Sequence, residues 1–166
     1  MTATGSSKSQ LYQHFPDKHA LVAAVIARRA EDIFARESAL LARVESMRGL
    51  ERWRDAAVQR VALRRGANGC RLGSLLSELA DQDDDAVRSL ARHFDSWEML
   101  IKDALDRMRD NGSLTDQVDT RRLATGLMAA LQGGYLLSQA SGDASPMEAS
   151  LNMALGHIAS FTATND

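Results

Sequence analysis

One segment in the second half of the chain repeats its apolar residues at intervals of three and four, which is the period of an α-helix. The pattern begins at Val87 and continues to Met108, and Asn111-Gly112 follows it as a helix stop. Such a helix must bury one face, so the chain has to build a helical core around it. The repeating residues are Val87, Leu90, Ala91, Phe94, Trp97, Ile101, Ala104, Leu105 and Met108.

Breaks in the apolar pattern divide the rest of the chain into further helices. We predict a long helix from Asp17 to about Ser46, a second over Leu50–Arg65 and a short third over about Leu72–Ala80. A helix capped by Asp119 should extend to about Ser141. The last helix should begin at Ser145-Pro146-Met147-Glu148, which combines a capping box with a proline in the first turn.

Composition agrees with an all-α fold. The 166 residues are 45% apolar and can bury one core, only 5% are aromatic, and alternating β-branched runs are absent. With one cysteine, no secretory leader and no apolar run of membrane-spanning length, we expect a cytoplasmic protein without a membrane anchor. The net charge of −2 argues against a general nucleic-acid binder, although acid is concentrated at Asp81–Asp85 and the chain through Arg36 is slightly basic.

The segment SKSQLYQHFPDKHAL, from Ser7 to Leu21, carries the most specific functional signal. It predicts a short helix over about residues 7–15, a break at Pro16 and a longer helix capped by Asp17. One face of the short helix is apolar, and the opposite face carries glutamine, serine, tyrosine and lysine, which suit base edges and phosphates of duplex DNA. The candidate DNA-binding residues are Ser7, Lys8, Ser9, Gln10, Tyr12, Gln13, His14 and Lys18.

This segment resembles the TetR family of bacterial transcriptional regulators, whose signature around the recognition helix runs small-Ser-Lys-x-x-Leu-Tyr-x-His-Phe-x-x-Lys-x-x-Leu. The segments GCRLGSLLSELAD, at residues 69–81, and ALQGGYLL, at residues 130–137, resemble the regulatory domain of the LmrA and YxaF-like branch. The sequence departs from the family pattern at Ser9, where many relatives carry glycine. The matching signature residues are Ser6, Ser7, Lys8, Leu11, Tyr12, His14, Phe15, Lys18 and Leu21.

The resemblance implies a partial helix-turn-helix region and linker helix over residues 1–45, followed by a C-terminal domain over residues 46–166 that binds an effector and dimerises. Family members place two further helices before the recognition helix, so we expect this chain to lack the front of the DNA-binding domain. The implied function is a regulator, expected to be a repressor, that reads a palindromic operator as a homodimer and is released by a small apolar or cationic effector. The alternative is a helical ligand-binding and dimerisation module that does not bind DNA.

In relatives the last two helices form the four-helix bundle of the dimer. Gly133 and Gly134 each cost a helix about 1 kcal/mol relative to alanine, so we expect a close helix crossing there. The alternative is that the apolar stripe of these helices is core within one chain. The candidate interface residues are Leu127, Ala130, Gly134, Leu151, Leu155 and Ile158.

In relatives the effector lies in a cavity between the linker helix and the helices that follow it. Glu37 falls within the apolar face of the predicted linker helix, where a carboxylate is costly unless it is paired. It is therefore either a receptor for a cationic ligand or the partner of an arginine. Gln132, beside Gly133, is the best polar candidate. The candidate pocket residues are Glu37, Trp53, Phe94, Trp97, Met128, Gln132 and Tyr135.

Signals for catalysis are weak. The four histidines are far apart in sequence, and neither His-x-x-x-His nor Cys-x-x-Cys occurs. Cys70 has no recognisable local base, and the glycines around it lack the spacing of a phosphate-binding loop. We therefore expect no enzyme, no metal and no cofactor.

Overall fold

A computed structural model of the chain describes residues 14–67 and 69–162 and contains six helices within them. The described residues form no strand, and a single antiparallel bridge joins Leu114 to Thr162. The predicted all-α fold is confirmed. No helix of the described part is both long and apolar enough to cross a membrane. The helices are α1 (Lys18–Leu41), α2 (Met47–Leu63), α3 (Arg71–Leu79), α4 (Asp84–Asp110), α5 (Thr120–Ser141) and α6 (Ser145–Ala159).

Side-chain caps fix where several helices begin. The Asp17 carboxylate accepts a hydrogen bond from the Ala20 amide at 2.8 Å, and Asp119 accepts one from Arg122 at 3.0 Å, so both predicted caps are confirmed. The first helix is shorter than predicted, because Ser46 caps α2 instead of ending α1. Between them the chain turns, and Val44 is buried in the core.

The predicted capping box before the last helix is wrong. Ser145 already belongs to α6, and Ala144 precedes the helix without a side-chain cap. The buried Ser138 hydroxyl of α5 instead accepts a hydrogen bond from the Met147 amide at 3.2 Å. A neighbouring helix therefore satisfies the Met147 amide, and the nearby Asp143 carboxylate accepts from the Ser145 amide.

Helix α4 lies at the centre of the bundle and packs against α1, α3 and α5. Most of its predicted apolar stripe is buried, with Trp97, Ile101 and Leu105 at most 1% exposed, but near its start Val87 and Phe94 are half-buried and Ala91 is exposed. Helices α5 and α6 form the most extensive pair. They cross closely at Gly134, where an added Cβ would lie 2.7 Å from Met147 Sδ, whereas one at Gly133 would meet nothing within 4 Å. The expected close crossing is confirmed for Gly134 alone.

Helix α1 is attached to the other helices near both of its ends. Near its C-terminus, Arg107 donates to the Leu41 carbonyl at 2.6 Å, and Asn111 donates to the Glu45 carbonyl at 2.9 Å. Near its N-terminus, His19 Nδ1 lies 2.9 Å from the Asp83 carboxylate, and the His19 side chain is 73% exposed. The C-terminal attachment is the less exposed of the two, so α1 is held more firmly where it enters the core.

Candidate functional site: an arginine-lined cavity against α1

A cavity of about 210 Å³ lies between α1 and the connection from α2 to α3, with α4 and α5 forming its inner wall. Helix α1 contributes one complete side of it, and the remaining side chains come from parts of the chain distant in sequence. We call this space the arginine cavity. Its lining residues are Arg29, Asp32, Ile33, Arg36, Arg60, Val61, Arg64, Gly66, Ala67, Gly69, Cys70, Arg71, Trp97 and Tyr135.

The rim formed by the α2–α3 connection depends on glycine. Gly66 has a φ of +71° and donates its amide hydrogen to the Val61 carbonyl at 3.0 Å, which reverses the chain after α2. A Cβ atom on Gly66 would overlap the Ser138 carbonyl oxygen of α5. The connection is therefore pressed directly against α5, and this close approach sets the position of the rim relative to α1.

A buried carboxylate stands behind the cavity. Glu37 is 1% exposed; its Oε1 accepts hydrogen bonds from Arg36 Nε at 2.9 Å and Arg60 at 3.2 Å, and its Oε2 accepts one from Trp53 Nε1 at 2.9 Å. We call Glu37, Arg36, Arg60 and Trp53 the Glu37 cluster. Both carboxylate oxygens accept hydrogen bonds, and so the cluster holds two lining arginines in place. Of the two alternatives for Glu37, the structure shows the partner of an arginine.

The charge of the lining is strongly positive. Five arginines contribute to the wall against one carboxylate, that of Asp32, which lies 3.6 Å from Arg28 outside the cavity. Arg29 donates to the Arg71 backbone carbonyl at 3.0 Å, and within the described residues neither Arg29, Arg64 nor Arg71 forms an ion pair. The cavity thus contains guanidinium groups whose charge is not neutralised by a neighbouring carboxylate.

Two buried donors of the wall also lack acceptors. Trp97 is 1% exposed, and neither its Nε1 nor the Nε of Arg60 has a hydrogen-bond partner within the part of the chain that is described. Buried polar groups in native proteins are usually satisfied, and each exception calls for an explanation. Because both nitrogen atoms are fully buried, an acceptor on a ligand reaches them only if neighbouring side chains move.

Burial is the main cause of the pKa shifts of two side chains that line the cavity, Tyr135 and Cys70. It raises the pKa of the Tyr135 phenol, against the opposing effect of the Arg60 guanidinium. It also raises the pKa of the Cys70 thiol, although the Gly73 amide hydrogen-bonds the sulfur at 3.4 Å. Both groups are therefore neutral at pH 7 and add no negative charge to the cavity.

We predict that Tyr135 ionises with a pKa above the ordinary value of 10.0, and that this transition is absent from Tyr135→Phe. Absorbance at 295 nm, recorded for both proteins as the pH is raised, measures it. Because the unfolded phenol ionises more readily than the folded one, the stability that neutral Tyr135 provides should be lost as the pH rises above about 10. If the transition that is lost in Tyr135→Phe has a pKa at or below 10.0 in the unaltered protein, the burial of this side chain is contradicted.

Comparison with known proteins identifies the chain from about two thirds of its length. Residues 46–154 match the family model of the tetracycline repressor-like C-terminal domain. This chain belongs to the TetR family of transcriptional regulators. No curated protein matches its sequence.

Two solved structures share the fold of this TetR-family regulator. A TetR-family transcriptional regulator from Agrobacterium tumefaciens is 23% identical with a TM-score of 0.79, and the match covers 96% of this chain and 82% of that one. The regulatory protein TetR from Rhodobacter sphaeroides is 20% identical with a TM-score of 0.74, and the match covers 91% of this chain and 81% of that one. Regulators of this family bind operator DNA, form dimers and are in general not enzymes.

Of the residues predicted for the pocket of the TetR-family chain, Trp97 and Tyr135 line the arginine cavity. Glu37 and Trp53 lie behind it in the Glu37 cluster. Gln132 does not line the cavity and is half-buried, with its amide 3.5 Å from the sulfur of Met128. Phe94 packs against the core.

The arginines of the lining were missed by the sequence analysis. One signal for them was present, because Arg29 and Arg36 are seven residues apart and so lie on the same side of a helix. Arg60 and Arg64 are four residues apart in the helix predicted over Leu50–Arg65, which also places them on one side. Arginines on the polar side of a helix are ordinarily solvated, so sequence alone did not distinguish them from surface charges.

Most residues predicted for DNA contact, Ser7 to Gln13, lie outside the described residues. His14 and Lys18 are described, and both are exposed. Lys18 is the first residue of α1, the same helix that lines the arginine cavity further along.

The residues predicted for the dimer interface are packed within a single chain. Leu127, Leu151, Leu155 and Ile158 are at most 4% exposed, Gly134 is buried at the α5–α6 crossing, and Ala130 is half-buried. Helices α5 and α6 pack against one another through this stripe within the chain, and the contact of these residues with a second copy stays a prediction. The large apolar side chains that the two helices leave exposed are Leu136, Leu137 and Met153.

Proposed function

We propose that this TetR-family regulator is a repressor whose operator affinity falls when a small effector occupies the arginine cavity. The observation that carries the proposal is the origin of the cavity wall, since Arg29, Ile33 and Arg36 all belong to α1. A ligand there contacts the helix that follows the recognition region without an intervening domain. Because the regulator acts on DNA, we assign it to the cytoplasm and ascribe no catalysis to it.

The attachments of α1 suggest how occupancy is transmitted. The end near Leu41 is held by a hydrogen bond from Arg107, whereas the polar contact at the end near His19, with Asp83, is exposed. A ligand that shifts the middle of α1 should therefore move its N-terminal end more than its C-terminal end. In a dimer, that movement changes the spacing of the two recognition helices and so weakens binding to a palindromic operator.

Operator binding tests the DNA-binding part of the proposal. Fluorescence anisotropy on DNA from immediately upstream of the gene should be measured with this chain and with a form extended into the upstream reading frame. In the form that binds, Gln10→Ala should weaken the affinity about tenfold, because a bidentate glutamine–adenine contact is lost. Gln59→Ala, an exposed substitution on α2, serves as the matched control. Equal affinity of Gln10→Ala and the unaltered protein would contradict the assignment; absence of binding by both forms would favour a module without DNA binding.

We further propose that the homodimer forms through the face of α5 and α6 that carries Leu136, Leu137 and Met153, which are 57% to 79% exposed. The open space beside Gly126, Gly133 and Gly156, where an added Cβ meets nothing within 4 Å, lets a second backbone approach closely. Packing within one chain does not explain the glycine at position 133, whereas the close approach of a second chain does. The family resemblance implies dimerisation through the same two helices, although the residues predicted for it lie on the opposite, buried stripe.

A charge on this face should disrupt the dimer. Leu137→Glu is expected to raise the dimer dissociation constant at least tenfold, because it places a carboxylate in an apolar contact. Sedimentation equilibrium measures the change. Leu63→Glu on α2, where the side chain is 79% exposed, is the control and should remain dimeric. Dissociation by the control but not by Leu137→Glu would show that a different face pairs.

A further inference from the structure

We propose that the effector is a small organic anion with an apolar body, in place of the apolar or cationic effector that the sequence predicted. The inference rests on the proposed function for the identity of the site and adds the chemical class of its ligand. The charges of the lining carry it. A cation would enter a space with five guanidinium groups, whereas an anion would neutralise charges that are already there.

The Glu37 cluster shows why this lining is built for recognition and is not an accidental group of surface charges. Glu37 is 1% exposed and fixes the guanidinium of Arg60, whose side chain is only 20% exposed, before any ligand arrives. Positioned guanidinium groups bind the oxygens of carboxylates and phosphates with good geometry and little loss of side-chain entropy. Arg60 is therefore a hydrogen-bond donor that is already positioned for an anion, and Glu37 is the residue that positions it.

Buried donors in the wall point to the same chemistry. The indole Nε1 of Trp97 and the Nε of Arg60 are buried just behind the lining and have no acceptor among the described residues, so this side of the cavity has hydrogen-bond donors in excess. The carboxylate of Glu37 does not compensate, because both of its oxygens are already occupied. An anion supplies acceptors without adding donors, unlike an amine, which would add more.

The apolar part of the lining specifies the rest of the ligand. Ile33, Val61 and the rings of Trp97 and Tyr135 form apolar wall beside the arginines. A volume of about 210 Å³ is below the range usual for drug-sized ligands, so the body should be small, about the size of one ring. A carboxylate and a phosphate both provide the oxygen acceptors that the arginines require, and titration with one anion of each kind distinguishes them.

The test is a ligand titration of the whole chain, labelled with ¹⁵N and free of DNA. The chain has two tryptophans, so two indole N–H signals are expected, and Trp97→Phe assigns them. The probes are benzoate, phenyl phosphate, benzylamine and benzyl alcohol, which share a ring and differ in charge. At least one of the two anions should shift the Trp97 indole signal in a saturable way at concentrations where benzylamine and benzyl alcohol do not. The tighter anion identifies the preferred head group.

Substitutions locate the binding. Arg64→Gln, at the exposed end of α2, should weaken the anion about tenfold through loss of one charge-assisted contact. Arg52→Gln removes the same charge from an exposed α2 position outside the cavity and should change the affinity less than twofold. Arg71→Gln is the second lining variant if Arg64→Gln does not fold. The proposal is overturned if neither anion shifts Trp97, if benzylamine or benzyl alcohol binds as tightly, or if Arg52→Gln weakens binding as much as the lining variant. These outcomes need no operator, so they are distinct from a failure of DNA recognition.

Discussion

Replacing Glu37 with alanine is expected to lower the free energy of unfolding by about 3 kcal/mol. The carboxylate is the acceptor for Arg36, Arg60 and Trp53, and its removal leaves buried donors without partners. The loss should exceed the net stabilisation that the cluster provides. Without Glu37 the arginine charges stay buried with no carboxylate to compensate for their desolvation. Urea unfolding followed by circular dichroism at 222 nm measures it.

The matched control for this prediction is Glu31→Ala. Glu31 belongs to the same helix, but its side chain is 69% exposed and pairs with Arg28 at 3.4 Å. An exposed pair of this kind contributes between 0 and about 1 kcal/mol, so the control should unfold almost as the unaltered protein does. Similar losses for the two variants would mean that Glu37 is not the centre of a buried network.

The second large effect is expected at Gly66, where alanine should destabilise the protein by about 3 kcal/mol or more. Two costs combine there. The backbone has a φ of +71°, which costs an L-residue about 1 to 2 kcal/mol, and the new Cβ would overlap the backbone of Ser138. The connection between α2 and α3 would have to move away from α5, which displaces the rim of the arginine cavity.

Gly112 separates these two costs. Its φ is +79°, but an added Cβ meets nothing within 4 Å, so Gly112→Ala should show the backbone cost alone, about 1 to 2 kcal/mol. Thermal unfolding of the two variants gives the difference, which we attribute to the contact with α5. An equal loss in both variants would indicate that the α2–α3 connection is not held against α5. Weaker anion binding in Gly66→Ala than in Gly112→Ala should accompany the displaced rim.

The fold was predictable from sequence because its signals are local. The apolar repeat from Val87 to Met108 and the caps at Asp17 and Asp119 each depend on residues within a few turns of one another. The failures were at contacts between helices. Ser138 takes over the capping of α6 from a different helix, and no local pattern indicates that.

The candidate site was only partly predictable for the same reason. The position of Glu37 on an apolar face required a partner, but Arg60 lies 23 residues further along the chain and only packing brings it near. The arginine lining depends on the reversal at Gly66, which sets the connection opposite α1. Apolar stripes on α5 and α6 were equally compatible with a dimer and with packing inside one chain, because periodicity identifies a buried face and not its partner.

The measurement that tests the central claim most directly is the release of operator DNA by an anion. Fluorescence anisotropy of the operator complex should be followed as benzoate or phenyl phosphate is added, with the unaltered protein beside Arg64→Gln. We predict that DNA is released over the concentrations at which the anion shifts the Trp97 signal, and that Arg64→Gln raises the required concentration by the same factor as it weakens binding, because the two sites are linked. Operator DNA that stays bound while the anion saturates the arginine cavity would contradict the account.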